Sequence, residues 1–269
     1  MPSSKPASAR RILFIADVVG RPGRNAVTAL IPTLREECDV DLCVVNIENA
    51  AGGAGVTKSI ANAVFEAGAD CLTSGNHVWA NRDVFGWIDD EERIVRPVNF
   101  DRECPGRGAT VVRCRGGEPV LVANAQGRVF MDPCGNPFRA LDATLAEHES
   151  VRLRLVDFHA EATSEKVAMG WYLDGRVTAV VGTHTHVPTA DERILPEGTA
   201  AITDVGMTGP FDSVIGVKKE AALRRMVTGL PTRFEPASHD VRLSAVLIDA
   251  DPSTGRAVGI ERLQRSFGG

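Results

Sequence analysis

The chain has 269 residues, 43% hydrophobic and 24% charged, the balance of a water-soluble globular protein able to build a full apolar core. Its formal net charge of −5 argues against a large groove holding nucleic acid by bulk positive potential, while leaving room for a local basic pocket for one small anion. No apolar run is long enough to span a bilayer, Met1 to Ala9 lacks the apolar core of a signal peptide, and the six cysteines contain no Cys-x-x-Cys, so a cytoplasmic protein with reduced thiols is expected.

Residues 1–9, rich in Ser and Pro, read as a disordered tail, and residues 10–269 as a single domain without repeats or linkers. The first apolar run, Arg11 to Ala16, is a strand that stops at Asp17; a Gly/Pro turn follows, and then a helix from about Asn25 to Glu37. Asp41 to Ile47 repeats the pattern and runs into Glu48 and Asn49. Both of these neighbours can reach one centre only if the chain bends, which the small residues Ala50 to Gly55 permit. A phosphate-cradling P-loop fails on spacing, because Lys58-Ser59 follows Thr57 where a glycine is required.

A helix near 57–67 leads to a third strand ending at Gly75, followed by Asn76 and His77. A short helix is expected over 83–93, a loop over 97–108, a hairpin about Gly116-Gly117, and an irregular segment over 127–137 that could border a pocket. After a helix near 140–150, Val151 to Phe158 forms a strand ending in His159. A helix over 164–173 precedes the strand Ala179 to Val181, which Gly182 interrupts before Thr183-His184-Thr185-His186. Residues two apart in extended chain point the same way, so His184 and His186 can present their imidazoles to one point or to two neighbouring points. Strands over 200–204, 242–249 and 257–264 close the chain.

Strand, polar tip, turn and helix in alternation describe an α/β protein, in which ligands gather at the carboxyl ends of strands. Asp17, Glu48, Asn49, Asn76, His77, His159, His184 and His186 all fall there. Each alone has an ordinary reading, such as a capping aspartate or a surface histidine; together they make a ligand set of oxygen and imidazole without thiolate, suited to Mn, Fe or Zn. The set is larger than one ion needs, and two metals sharing a carboxylate use it more economically. Arg21, Arg24 and Lys58 could help hold a phosphate or could simply be solvated surface charge.

These residues resemble the calcineurin-like metallophosphoesterases and, within them, the YmdB-like group of bacterial cyclic-nucleotide phosphodiesterases. The resemblance rests on Asp17, Asn46-Ile47-Glu48-Asn49-Ala50, Gly75-Asn76-His77, His159, Gly182-Thr183-His184-Thr185-His186 and Asp204-Val205-Gly206-Met207-Thr208-Gly209. Most of the superfamily has Asp-x-His after the first strand and a bridging aspartate; this chain has Asp17-Val18-Val19 and Glu48, departures that match the subgroup. The resemblance implies a sandwich of mixed β-sheets flanked by helices. It also implies one metal on Asp17, Glu48, Asn49 and His186 and a second on Glu48, Asn76, His159 and His184. Fe or Mn would be the expected metals, with Zn possible. A metal-bridging hydroxide would attack the phosphorus and His77 would act as general acid. The implied substrate is a 2′,3′-cyclic nucleotide. A phosphomonoesterase and a nucleotide-binding regulator with incidental turnover stand as alternatives, and a homo-oligomer is left open.

Overall fold

The first apolar run becomes β1 (Arg10–Ile15), and alternate side chains leave it on opposite faces. Leu13 and Ile15 pack toward helices, whereas Ile12 and Phe14 enter a core shared by two sheets. β2 (Leu42–Asn46) divides its side chains in the same way, Cys43 and Val45 to one side and Leu42 and Val44 to the other. With both faces covered, such strands read as continuous apolar runs. The structure, a computed structural model describing residues 3–268, therefore has four layers, two mixed sheets face to face with helices outside both.

In the first sheet β1 and β2 are followed in parallel by β3 (Cys71–Thr73) and β4 (Ile94–Val95). Its other side is antiparallel, through β12 (Val241–Ala250), which pairs with β1, with β13 (Ala257–Ser266) and with the short β11 (Gly209–Pro210). The second sheet opens with the expected hairpin, β5 (Ala109–Arg113) against β6 (Pro119–Gln126). It continues in parallel through β7 (Leu153–His159), β8 (Ala179–Thr183) and β10 (Ala200–Ile202), and ends at β9 (Arg193–Ile194). Helices α1 (Gly20–Glu37) and α2 (Lys58–Glu66) cover the first sheet, and α3 (Pro137–Glu147) and α4 (Thr163–Leu173) the second.

Several expectations shift. α1 begins at Gly20, not Asn25, because Pro22 is tolerated in a first helical turn and Gly23 is needed there: a Cβ would stand 2.3 Å from the Thr208 carbonyl oxygen. The helix expected over 83–93 is one 3₁₀ turn, Arg82–Gly86. Helix α5 (Lys219–Thr228) was not expected; of its residues only Ala222 is buried. Met1 and Pro2 lie outside the described residues, but the rest of the segment read as a tail is anchored. Ser3 donates to Glu261, Lys5 pairs with Asp41 at 2.9 Å, and Ala9 is buried. No helix among the described residues is long and apolar enough to cross a membrane.

Candidate metal centre

Because β1, β2 and β3 run parallel, as do β7 and β8, the residues after their carboxyl ends collect at one edge of the sandwich. The sheets are tied together there by Asp157 on β7, which accepts from Asn46 Nδ2 at 2.9 Å and from the Thr73 hydroxyl. Around Glu48, which is fully buried, the ligating atoms of Glu48, His159 and His184 lie within 4.8 Å of one another. His159 Nε2 stands 3.0 Å from Glu48 Oε1, 3.0 Å from Asn76 Oδ1 and 3.0 Å from His184 Nδ1. A second group adjoins it: His186 Nε2 is 3.1 Å from Asn49 Nδ2 and 3.7 Å from Asp17 Oδ2. Asp17, Glu48, Asn49, Asn76, His159, His184 and His186 are thus brought together.

The bend after β2 occurs as expected, with Glu48 and Asn49 on a turn that follows Asn46. The histidine pair is delivered differently from the expectation. β8 ends at Thr183, and His184 (φ 96°) and His186 (φ 66°) both adopt left-handed backbone, so a tight turn, not strand alternation, aims the two rings. Asp204 holds that turn: its Oδ2 accepts from Thr185 N at 3.1 Å and from Thr185 Oγ1 at 2.6 Å, and Lys166 Nζ lies 2.6 Å from the same oxygen. Both partners of this ion pair are buried. Sequence reasoning missed both roles. Asp204 does end a strand-like run before a glycine turn, as the other site residues do, but Lys166 on α4 carries no local signal.

Burial pushes the Asp17 carboxyl up to about 6, against the pull of His186 and His159. Burial acts the same way on Glu48, yet the neighbouring His159 and His77 imidazoles carry it well below the usual carboxylate range. Burial lowers the His184 ring to about 3, helped by His159 beside it. His159 is raised to about 9: desolvation opposes its charge, but the contact with Glu48 prevails. His77 is raised chiefly by its hydrogen bond to Glu48. Its Nδ1 lies 2.9 Å from Asn49 Oδ1 and 3.3 Å from Glu48 Oε1, and its side chain is 43% exposed at the mouth of the site. Of the cations considered for phosphate, Arg24 donates to the Ala50 carbonyl behind the Glu48 turn, Arg21 is exposed along a separate cleft, and Lys58 opens α2.

A family model described as "YmdB-like protein" matches residues 13–263. The chain belongs to the YmdB-like family. A relative from Bacillus subtilis (strain 168), named 2′,3′-cyclic-nucleotide 2′-phosphodiesterase, is 50% identical over 94% of this chain and 96% of its own. A crystal structure of a hypothetical protein from Thermus thermophilus has a TM-score of 0.90 and 44% identity, covering 95% of this chain and 99% of that one. Another, of a novel phosphatase from Mycoplasma pneumoniae, has a TM-score of 0.90 and 35% identity, covering 96% and 94%. The YmdB-like chain has the calcineurin-like metallophosphoesterase fold and is a hydrolase, and its family implies divalent metals.

Proposed function

We propose that this chain is a metal-dependent phosphodiesterase that hydrolyses 2′,3′-cyclic nucleotides, opening the ring at the bond to the 2′ oxygen. The observation that carries this reading is Glu48, a buried carboxylate in reach of both donor groups, in a chain half identical to a relative named for that activity.

The residues fit a pair of divalent ions. Asp17 Oδ1 is buried with no hydrogen-bond donor among the described residues, a lone pair that a cation would use. A Cβ on Gly75 would stand 2.0 Å from Glu48 Oε2 and 2.4 Å from His159 Cδ2, so only bare backbone lets those two donors meet. Imidazole, carboxylate and amide oxygen without thiolate suit Mn, Fe or Zn. Asp17, Glu48, Asn49 and His186 would hold one ion, and Glu48, Asn76, His159 and His184 the other. When bound, the ions would supply a water activated at neutral pH and neutralise the phosphate.

In the net reaction water adds at phosphorus, the bond from phosphorus to the 2′ oxygen breaks, and that oxygen takes a proton, leaving a 3′-phosphomonoester. His77 is set to give that proton. Its Nδ1 is fixed by Asn49 and Glu48, and its Nε2 has no protein partner among the described residues. Acid assistance of this kind is worth about 10²–10⁴-fold.

The test joins elemental analysis of protein purified without chelator to hydrolysis of 2′,3′-cyclic AMP. About two transition-metal ions per chain are expected by the ligand count, with activity lost on chelation and restored by Mn or Fe, and with His77→Gln slowing turnover about 10²–10⁴-fold at unchanged metal content. Full metal occupancy without cleavage, or faster cleavage of mono- than of bis-p-nitrophenyl phosphate, would overturn the diesterase reading in favour of a phosphomonoesterase.

A further inference from the structure

Beside the donor cluster lies a cleft of about 680 Å³, within the size range of small-molecule sites. Asn76 belongs to both: its Oδ1 is 3.0 Å from His159 Nε2, and its side chain lines the cleft. Gln126, on the cleft floor, is paired in register with His159 on the neighbouring strand. The cleft therefore begins where the donor cluster ends.

Its walls suit a flat, neutral, nitrogen-bearing ring. Trp79 follows the Gly75-Asn76-His77 turn; Phe85 stacks on the indole at 5.3 Å and Phe100 leans against it at 6.3 Å. Both Trp79 and Phe100 line the cleft and are only partly buried. The opposite wall is rigid, because Asn99 donates to the carbonyls of Gln126 (2.8 Å) and Gly135 (2.9 Å) while its Oδ1 accepts from Gln126 N at 2.9 Å. Gln126 is 1% exposed, and its Nε2 donates to the Asp132 carbonyl, but its Oε1 has no partner among the described residues. Every nucleobase has a π-face for an aromatic shelf and at least one N–H for such an acceptor. Asp101 and Asp132 outnumber Arg102 along the cleft, which disfavours a second phosphate there.

We infer that this cleft is the nucleobase subsite, with Trp79 and Phe100 as the stacking shelf and Gln126 as an acceptor for a base N–H. The inference rests on the reading of the chain as a cyclic-nucleotide phosphodiesterase. It implies tolerance of all the bases, since stacking does not distinguish them strongly.

The test compares 2′,3′-cyclic AMP with glycerol 1,2-cyclic phosphate, which keeps the five-membered cyclic diester and has no base. The ratio of their kcat/KM values is expected to favour the nucleotide. Trp79→Ala should cut that ratio about 10- to 100-fold, mainly through KM, Trp79→Phe should retain most of it, and Phe100→Leu should lower it by less. Calorimetric binding of adenosine 3′-monophosphate against glycerol phosphate reads the same preference without turnover. A wild-type enzyme with no preference for the base, or a ratio and binding preference unmoved in both Trp79→Ala and Phe100→Leu, would overturn the subsite. Failure to cleave either cyclic diester, with base-dependent binding intact, would overturn the phosphodiesterase reading and leave the subsite standing.

Discussion

The oxygen-bearing half of the site, Asp17, Glu48, Asn49 and Asn76, comes off the first sheet, and the imidazole half, His159, His184 and His186, comes off the second. The oxygen half leaves an acceptor, Asp17 Oδ1, without a donor among the described residues. The imidazole half is tied down away from the site: His159 Nδ1 to Thr183, His186 Nδ1 to the Ile215 carbonyl at 2.9 Å, and the turn between His184 and His186 to Asp204. Two left-handed residues in one turn cost about 1–3 kcal/mol each, and they persist because Asp204 and Lys166 over-determine the backbone between them. Carboxylates have spare lone pairs and can wait for a cation; an imidazole must have its second nitrogen held before its first can be aimed.

The largest effect should follow from breaking Glu48, the carboxylate in reach of both donor groups. Glu48→Gln keeps the shape and removes the charge that faces both His159 and His77. Activity on 2′,3′-cyclic AMP is expected to fall by at least about 10³-fold, several kcal/mol of charge stabilisation, with metal content reduced in parallel. A variant that kept its metal and most of its rate would mean that Glu48 is not shared between the two groups.

A smaller loss should come from the far side of the imidazole half. In Asp204→Asn an amide N–H or a weaker acceptor replaces the carboxylate that receives Lys166 Nζ, Thr185 N and Thr185 Oγ1. Leaving Lys166 buried without its counter-charge should cost about 3–5 kcal/mol of stability in denaturant titration. Loosening the turn should weaken metal binding and activity about 10–100-fold. The double variant Asp204→Asn with Lys166→Met should recover much of the stability but not the metal affinity, which separates an unpaired charge from a mis-aimed ligand. Recovery of both together would reduce the ion pair to a structural one.

This division also explains what was legible. The clustered residues could be read because each stands where an apolar strand gives way to a turn: Asp17, Glu48, Asn76, His159 and the pair at 184 and 186. The sheets followed from the alternation of strand and helix, the hairpin from Gly116-Gly117, and the arrangement as a sandwich from family resemblance. The supports could not be read. Lys166 sits in α4 like any helical lysine, and only the folded chain carries it to Asp204. The left-handed backbone at His184 and His186 is held by that same distant contact, so extended spacing anticipated that the pair would converge but not the turn that makes it do so. Helix α5 escaped because it buries only Ala222 and so lacks an apolar stripe.

The smallest effect sharpens the comparison most, because it replaces neither a residue of the donor cluster nor a member of a buried charge pair. Thr183 Oγ1 stands 2.8 Å from His159 Nδ1 and donates to Asp157 Oδ1 at 2.7 Å, relaying the carboxylate's hold to the ring. Thr183→Val preserves the volume and leaves a buried ring N–H unpaired, while Asp157 keeps Asn46 and Thr73 on its other oxygen. Stability should fall by about 1–3 kcal/mol, the cost of an orphaned buried donor. Metal affinity should drop about 10-fold, at the low end for a contact that orients a ligand from behind. The loss should be equal for cyclic AMP and for the base-free cyclic diester, since the change acts on the phosphate end of the site. Unchanged metal affinity alongside the expected loss of stability would mean that His159 is aimed by Glu48 and Asn76 alone, and that the imidazole half is no more dependent on its backing than the oxygen half.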